Sequence, residues 1–553
     1  MLPVKIALSE GLQLNSVGQR INSYKITLVL EAIALAIIIF IAGYLRLNNI
    51  LVNPGWYTDE TTHIDIAQNL LSGRIQYLAV TDSTLLFARF PLFQSTLAGT
   101  MALLGEGIIA LRTLTGGLGV LSALTLYIIV RRTTHNPALA LAGALSLAIY
   151  PTAVIYSRIG FSYALLAPMV LLTVGGLTHY ITNNKRTGLV VASLAVGLGV
   201  TSDLMMATLA PVIGLVVLWH RWRDLFWCVP LVATPFGIYI ATMLITNPDV
   251  FLYDFPWIIS RLSTMTLPEQ IDNVILNYET ILTENLWITL GIIGLFMLRH
   301  RQLKIIALLC FFIPVASLGR TVALFHLSFY YMIPLLPIPM IGLGALLIYG
   351  SQHIHNAVQE INIPFAYPYM LKPIAGAALA FLIIWMPLAA SLNRTASETT
   401  EGFSTSIDAF LTNAEAATDI AEFINANTSS NDLVIGSVPY LWMLDTRVSD
   451  YQISAAWDGL ETPHLPLDIP RERFAFDPSF DQAKYVIVDN LWRFWGNVHV
   501  EGLTDLYAKL GPEWPLVYQS QDVQVYQNPD YRGGNILNGV LERAMSRHQN
   551  PAP

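Results

Sequence analysis

The chain alternates between long apolar stretches and short polar ones. Runs close to the roughly 20 residues that cross a bilayer's hydrocarbon core lie near 26–46, 108–130, 138–156, 161–181, 187–202, 204–219, 225–246, 285–298, 303–318, 327–349 and 373–392. No Asp, Glu, Lys or Arg falls between Arg132 and Arg158, between Arg158 and Lys185, or between Arg320 and Glu360. Uncharged runs of that length exceed what a soluble core helix needs, so the pattern predicts about eleven transmembrane helices. The first run follows a mixed, largely polar stretch without a small-residue cleavage site, and it reads as a retained span rather than a removable signal. A second pattern begins near residue 395. There a helix over Ser406–Asn425 gives way to short apolar runs at Leu433–Ser437, Tyr440–Leu444 and Tyr485–Asp489. A helix over Leu503–Leu510 and runs at Pro515–Tyr518 and Val523–Gln527 follow. Helices alternating with short strands predict a small soluble α/β domain. The predicted class is a polytopic α-helical membrane protein, with a membrane domain over 1–394 and a soluble α/β domain over 395–553.

Composition sharpens the division. Of 553 residues, 54% are hydrophobic and 12% charged, about half the charge density of a soluble domain. Residues 1–394 carry 21 Lys and Arg against 16 Asp and Glu, whereas 395–553 carry 9 against 22. A weakly basic membrane part joined to an acidic domain argues against nucleic acid as a partner. Cys228 and Cys310 both lie in apolar runs, so no disulfide framework or cysteine metal site is indicated. Basic residues of short loops stay cytoplasmic. With Arg131-Arg132, Lys185-Arg186, Arg221/Arg223, Arg299/Arg301/Lys304 and Lys372 all inside, the N-terminus is cytoplasmic and everything after about 393 is extracytoplasmic. The apolar stretch Phe90–Leu104 then lies on the outer interface. The protein is expected in the cell (plasma) membrane.

Three outer segments remain: the loop 47–107, the loop 247–284 and the C-terminal domain. In the first loop, Ile64, Ala67 and Leu71 recur at helical spacing after Asp59 and Glu60, so residues 60–72 read as an amphipathic helix at the membrane surface, ended by Gly73. Thr58 is a candidate cap, and carboxylates in a first turn are favoured by the helix dipole. Asp59 and Glu60 therefore read equally as helix-start residues and as catalytic acids. Among cations, Arg158 and Arg320 stand in outer turns and Arg74, Arg89 and Arg261 in the longer outer loops. Arg grips phosphate bidentately, while an interfacial Arg also simply snorkels to lipid phosphate. His326, Tyr330 and Tyr331 follow Arg320 near the same surface; the alternatives for them are packing and an interfacial aromatic belt. Asp203 either faces the site or caps the next helix. Glu31 lies inside the first span, near enough to Lys25 to pair with it. The C-terminal domain has no Gly-rich phosphate loop and no metal-ligand spacing, and no chemistry is assigned to it.

An outer first loop opening with Asp59-Glu60 and continuing into an amphipathic helix resembles the GT-C superfamily of membrane glycosyltransferases. The most similar subgroup is that of protein O-mannosyltransferases and aminoarabinose transferases. Arg89-Phe-Pro-Leu stands where that family has His-Pro-Pro-Leu, Arg112 with Gly116-Gly117 resembles its next span, and Phe329-Tyr330-Tyr331 through Pro337 its late Pro-rich span. The resemblance covers about residues 25–350. It implies an inverting hexosyl- or pentosyl-transferase that moves a sugar from a polyprenyl-phosphate donor to a protein, lipid or glycan acceptor. Asp59 would be the catalytic base, with Glu60 either sharing acceptor binding or holding the helix start, and Arg89, Arg158, Arg320, His326, Tyr330, Tyr331 and Asp203 would bind substrate. A phosphate is already an adequate leaving group, so the chemistry asks chiefly for a base aligned with the attacking hydroxyl. No cofactor and no required metal are expected. The competing reading is a transporter or flippase of a lipid-linked substrate, but transporters gather their binding groups near the bilayer midplane, and the polar groups here gather in outer loops.

Overall fold

The computed structural model describes residues 26–84, 90–260, 265–320, 329–360, 368–400, 410–437 and 442–532. Helix α1 (Ile26–Leu47) leads to α2 (Thr58–Leu71) and α3 (Pro91–Leu104). Next come α4 (Ile108–Thr134), α5 (Pro137–Ile149), α6 (Pro151–Arg158), α7 (Tyr163–Asn183) and α8 (Arg186–Val200). A continuous helical stretch, Leu204–Thr246, holds α9 (Ala210–Arg221) and α10 (Leu225–Thr246) where the sequence predicts two spans. The segment expected as an outer loop folds as α11 (Pro248–Ser260) and α12 (Leu267–Glu284). It is followed by α13 (Leu286–Met297), α14 (Arg301–Gly319), α15 (Pro337–Ala345), α16 (Ser351–Glu360), α17 (Pro368–Ala380) and α18 (Met386–Thr400). Among the described residues, five helices are long and apolar enough to cross a membrane, and up to seven if each of two bent pairs is one span. The chain is an integral membrane protein. At its centre is α7, packed against α4, α8 and α14, with 72% of its apolar window buried; α1 has 11% and turns Ile33, Ile37 and Phe40 outward.

The span expected over 138–156 is two helices, α5 and α6, bent by 55°. Pro151 opens α6 and pushes Tyr150 into extended backbone, so the last carbonyls of α5 lose their intrahelical donors. Arg46, buried at the end of α1, supplies two: it donates to the carbonyls of Leu147 (3.0 Å) and Ala148 (2.8 Å). Thr395 of α18 donates to that of Ile149 at 2.8 Å. The brace is reciprocal, because Arg158 at the end of α6 donates to the carbonyls of Leu45 (2.6 Å) and Asn48 (2.7 Å), where α1 ends. Glu31 inside α1 pairs with Arg131 of α4 and accepts from Tyr127; Lys25, its expected partner, lies outside the described residues. Farther along, α13 and α15 cross so closely that a Cβ on Gly294 would collide with the Gly342 carbonyl.

Beyond residue 410 the chain builds a five-stranded sheet from β1 (Leu433–Gly436), β2 (Arg447–Asp450), β3 (Ala483–Val488), β4 (Leu516–Ser520) and β5 (Val523–Gln527), in the order β2-β1-β3-β5-β4. The first three strands are parallel, and β5 and β4 add antiparallel. Residues 440–441 of the expected Tyr440–Leu444 strand lie outside the described residues, and the nearest strand after them is β2. Helix α19 (Ala414–Asn427) lays Ala417, Ile420 and Ile424 on one face of the sheet, in a single apolar cluster with Val434, Ile487 and Val525. That cluster also holds Trp56, Ile64 and Ala67 of the first loop and Phe93 and Leu97 of α3. The other face carries α20 (Tyr451–Trp457) with Phe474, Phe480 and Trp492, and Val80 of the first loop joins it. Loop one and the sheet therefore share cores on both faces.

Candidate functional site

Asp59 is in the first turn of α2 and half-buried. The helix begins two residues earlier than the apolar periodicity indicates: Tyr57 occupies the N-cap, and Thr58, the expected cap, is the first helical residue. Glu60 performs the capping, accepting from the Tyr57 N–H at 2.8 Å. The same carboxylate is fully enclosed and gripped by Arg112 of α4, through Nε to Oε1 (2.7 Å) and Nη2 to Oε2 (2.7 Å). The Gly160 N–H donates to Oε1 at 2.8 Å. Arg112 also donates to the carbonyls of Ile50 (2.6 Å) and Gly55. Glu60 thus ties the start of α2 to α4 and to the α6–α7 turn, and its neighbour Asp59 projects from a helix start that cannot shift.

The other face of α2 is fixed by packing. His63 is enclosed, within hydrogen-bond distance of the Gln94 side chain of α3 (3.0 Å) and with its ring 4.9 Å from Phe93. The stretch Phe90–Leu104, expected on the membrane interface, is the helix α3 that covers this face. Gly73 follows α2 with φ +79°, and its N–H meets the Leu70 carbonyl at 3.0 Å.

Two residues before Asp59, an aromatic wall begins. The Tyr57 ring is 4.9 Å from Phe161, Phe161 stacks on Tyr330 at 5.6 Å, and Tyr163 stacks on Tyr330 at 5.5 Å and meets Tyr331 at 5.3 Å. Tyr330 and Tyr331 are therefore joined to loop one by a chain of ring contacts. Arg158 is fully enclosed, and besides the two carbonyls at the end of α1 it donates to Asn53 Oδ1 (3.2 Å), so its guanidinium is engaged within the protein. Arg320 is exposed just beyond α14, whose end is pinned by Asn273 of α12 donating to the Gly319 carbonyl at 2.6 Å. Asp203 accepts from the Met205 N–H at 2.8 Å, the capping geometry that was one of its two alternatives. Arg89, Arg261 and His326 lie outside the described residues.

Sequence reading gave Arg112 weight only through the family likeness. A lone cation within an apolar run signals a buried partner, but several acids could have supplied it. The aromatic wall was half visible, since Tyr57, Phe161 and Tyr163 were not singled out. Among the described residues no group of three or more His, Cys, Asp or Glu is arranged to hold a metal.

From above, the C-terminal unit closes on loop one. Trp56 and Thr412 exchange backbone hydrogen bonds of 2.8 and 2.9 Å. The rings of Trp56 and Trp442 are 5.9 Å apart. Arg473 grips Asp254 of α11 through both oxygens (2.7 and 3.0 Å) while donating to Ser83 Oγ and the Thr84 carbonyl of loop one. Burial, with the charges of Asp489 and Asp59 nearby, raises the Asp450 carboxyl to about 7; burial likewise raises Asp65 of α2 to about 6.

Residues 89–248 match the family model described as dolichyl-phosphate-mannose-protein mannosyltransferase. The fold matches a crystal structure of ArnT from Cupriavidus metallidurans bound to undecaprenyl phosphate, at 16% identity and TM-score 0.54, covering 92% of this chain and 99% of that one. The apo structure of the same ArnT matches over the same shares at 14% identity and TM-score 0.51. No curated protein is matched by sequence. The likeness is thus one of fold over 92% of the chain, with a mannosyltransferase family-model match over residues 89–248.

Proposed function

We propose that this chain, which has the fold of a GT-C membrane glycosyltransferase, is itself an inverting glycosyltransferase that uses a polyprenyl-phosphate sugar at the outer face of the membrane. The observation that carries the reading is the placement of Asp59 at the start of α2. Next to Glu60, which Arg112, Gly160 and Tyr57 hold, Asp59 is half-buried and two residues from the wall of Tyr57, Phe161 and Tyr330. A fixed carboxylate of this kind is suited to take the proton from an acceptor hydroxyl as its oxygen attacks the anomeric carbon. The bond to the carrier phosphate breaks on the opposite side, the phosphate leaves with the electron pair, and the anomeric configuration inverts.

Tyr330 and Tyr331 would offer flat apolar faces to the sugar or the first isoprene units. The exposed Arg320 would approach the phosphate, with Arg89 and His326 completing the cationic side. Arg158 and Asp203 act in this scheme by holding the loops in place, and Glu60 by holding Asp59. The likeness to an ArnT bound to undecaprenyl phosphate supports a lipid-phosphate carrier, and the family-model match supports sugar transfer. The test is incubation of the purified protein with a panel of polyprenyl-phosphate sugars and candidate acceptors, read by mass spectrometry and by the anomeric configuration of the product. Transfer with inversion is expected. Retention, or no transfer from any lipid-phosphate sugar, would remove the reading.

A further inference from the structure

The sheet has a feature that the reaction above does not use, and its interpretation rests on the reading of Asp59. In the order β2-β1-β3, β1 is flanked by parallel strands on both sides. In the order of the sheet, β2 lies on one side of β1 and β3 on the other, and open α/β sheets bind ligands in a crevice at the carboxyl ends where the strand order reverses in this way. Register puts Asp450, the last residue of β2, opposite Gly436 at the end of β1; Ser437 follows β1 and Asp489 follows β3.

Each of the two carboxylates has one oxygen engaged by the fold. Asp489 Oδ1 accepts from Ser437 Oγ (2.6 Å) and from the Trp492 N–H (3.0 Å), and Asp450 Oδ1 accepts from the Gln452 N–H (2.8 Å). The second oxygen of each, Oδ2, is buried without a partner. Beside them are two unpartnered donors, the Tyr451 hydroxyl and Trp492 Nε1, on fully enclosed side chains whose rings are 5.0 Å apart. Burial pushes the pKa of the Tyr451 hydroxyl up, and the charges of Asp450 and Asp489, which both reach it, add to the rise. Acceptors and donors thus share one neighbourhood without bonding one another. A buried polar group without a partner is costly, and a group bearing several hydroxyls satisfies donors and acceptors together.

The carboxyl ends of these strands border loop one. Trp442, on the chain leaving β1, packs on Trp56, three residues before Asp59, and the charge of Asp59 is felt at Asp450.

We propose that the carboxyl ends of β1, β2 and β3 form an acceptor subsite for the hydroxyls of a sugar ring, with Asp450 and Asp489 accepting hydrogen bonds and Tyr451 and Trp492 donating them. The acceptor is then a carbohydrate-bearing molecule, and the C-terminal unit presents one of its hydroxyls to Asp59. The test is saturation-transfer NMR on the full-length protein with methyl α-D-glucopyranoside, methyl α-D-mannopyranoside and methyl α-D-galactopyranoside. Asp489→Asn keeps the oxygen that Ser437 and Trp492 use, and Tyr451→Phe removes only the unpartnered hydroxyl. At least one glycoside is expected to bind, and each variant to weaken it by about fivefold or more with an unchanged near-ultraviolet circular dichroism spectrum. Absence of glycoside binding, or equal binding by natively folded variants, overturns the proposal and leaves the crevice to buried water. Asp59→Asn is expected to retain glycoside binding. If glycosides bind but no lipid-phosphate sugar is transferred, the proposed reaction fails while the subsite stands.

Discussion

Asp59 and Glu60 are chemically near-identical neighbours with different surroundings, and helix geometry is the reason. Adjacent helical positions point about 100° apart, so one side chain reaches Arg112 inside the bundle while the other remains half-buried. The pair was legible in the sequence; which of the two anchors the helix was not, because the partner comes from 52 residues away. Glu60→Gln should destabilise the protein by about 3–5 kcal/mol, the usual consequence of stripping a buried cation of its counter-ion. Combining it with Arg112→Met should recover much of that loss, as thermal unfolding in detergent would record. A second expectation concerns Asp450. Its folded pKa of about 7 lies above the ordinary 3.8, so the folded state binds more protons between those values. The stabilisation this gives is complete below pH 4 and lost as pH rises through 7. The slope is at most about 1.4 kcal/mol per pH unit. Asp450→Asn should therefore gain stability relative to the parent on going from pH 5 to pH 8. A parallel pH dependence in the two proteins would contradict the assignment.

At the scale of elements, hydrophobic runs located the long apolar helices, but neither α11 and α12 nor the breaks. The α5–α6 bend of 55° and the 91° bend between α12 and α13 occur within or beside stretches that are apolar enough to be spans. Pro151 was a visible signal for the first. The stabilisers of that bend, Arg46 and Thr395, come from distant helices and leave no local trace. The α13–α15 crossing depends on missing side chains. Close helix approach in membranes is commonly made through small residues, and at Gly294 even a methyl group meets the facing backbone. Gly294→Ala should force the helices apart and lower the unfolding temperature, whereas the same substitution at Gly214, whose Cβ would meet open space, should be nearly silent. Equal thermal shifts for the two variants would show that the crossing tolerates separation.

For the whole molecule, the charge division announced a distinct acidic segment after residue 395. It could not announce that this segment shares apolar clusters with loop one, because Trp56 and Ile420 meet across more than 350 residues of chain. Arg473 is the polar counterpart of that union, holding α11 and loop one at once. Arg473→Leu leaves Asp254 enclosed without its bidentate cation, a loss of about 3 kcal/mol. It should also quicken limited proteolysis near residues 83–84, which Arg473 holds. Unchanged cleavage would mean that the apolar clusters alone keep the unit closed.

The account turns on the carboxylate of Asp59 as base, and the most direct measurement compares Asp59→Asn with the parent in transfer from a polyprenyl-phosphate sugar. Asparagine keeps the size and the helix start but cannot take a proton. Transfer should fall by about 10²–10⁴-fold while the unfolding temperature hardly changes. A variant that transfers sugar at the parental rate would contradict the claim.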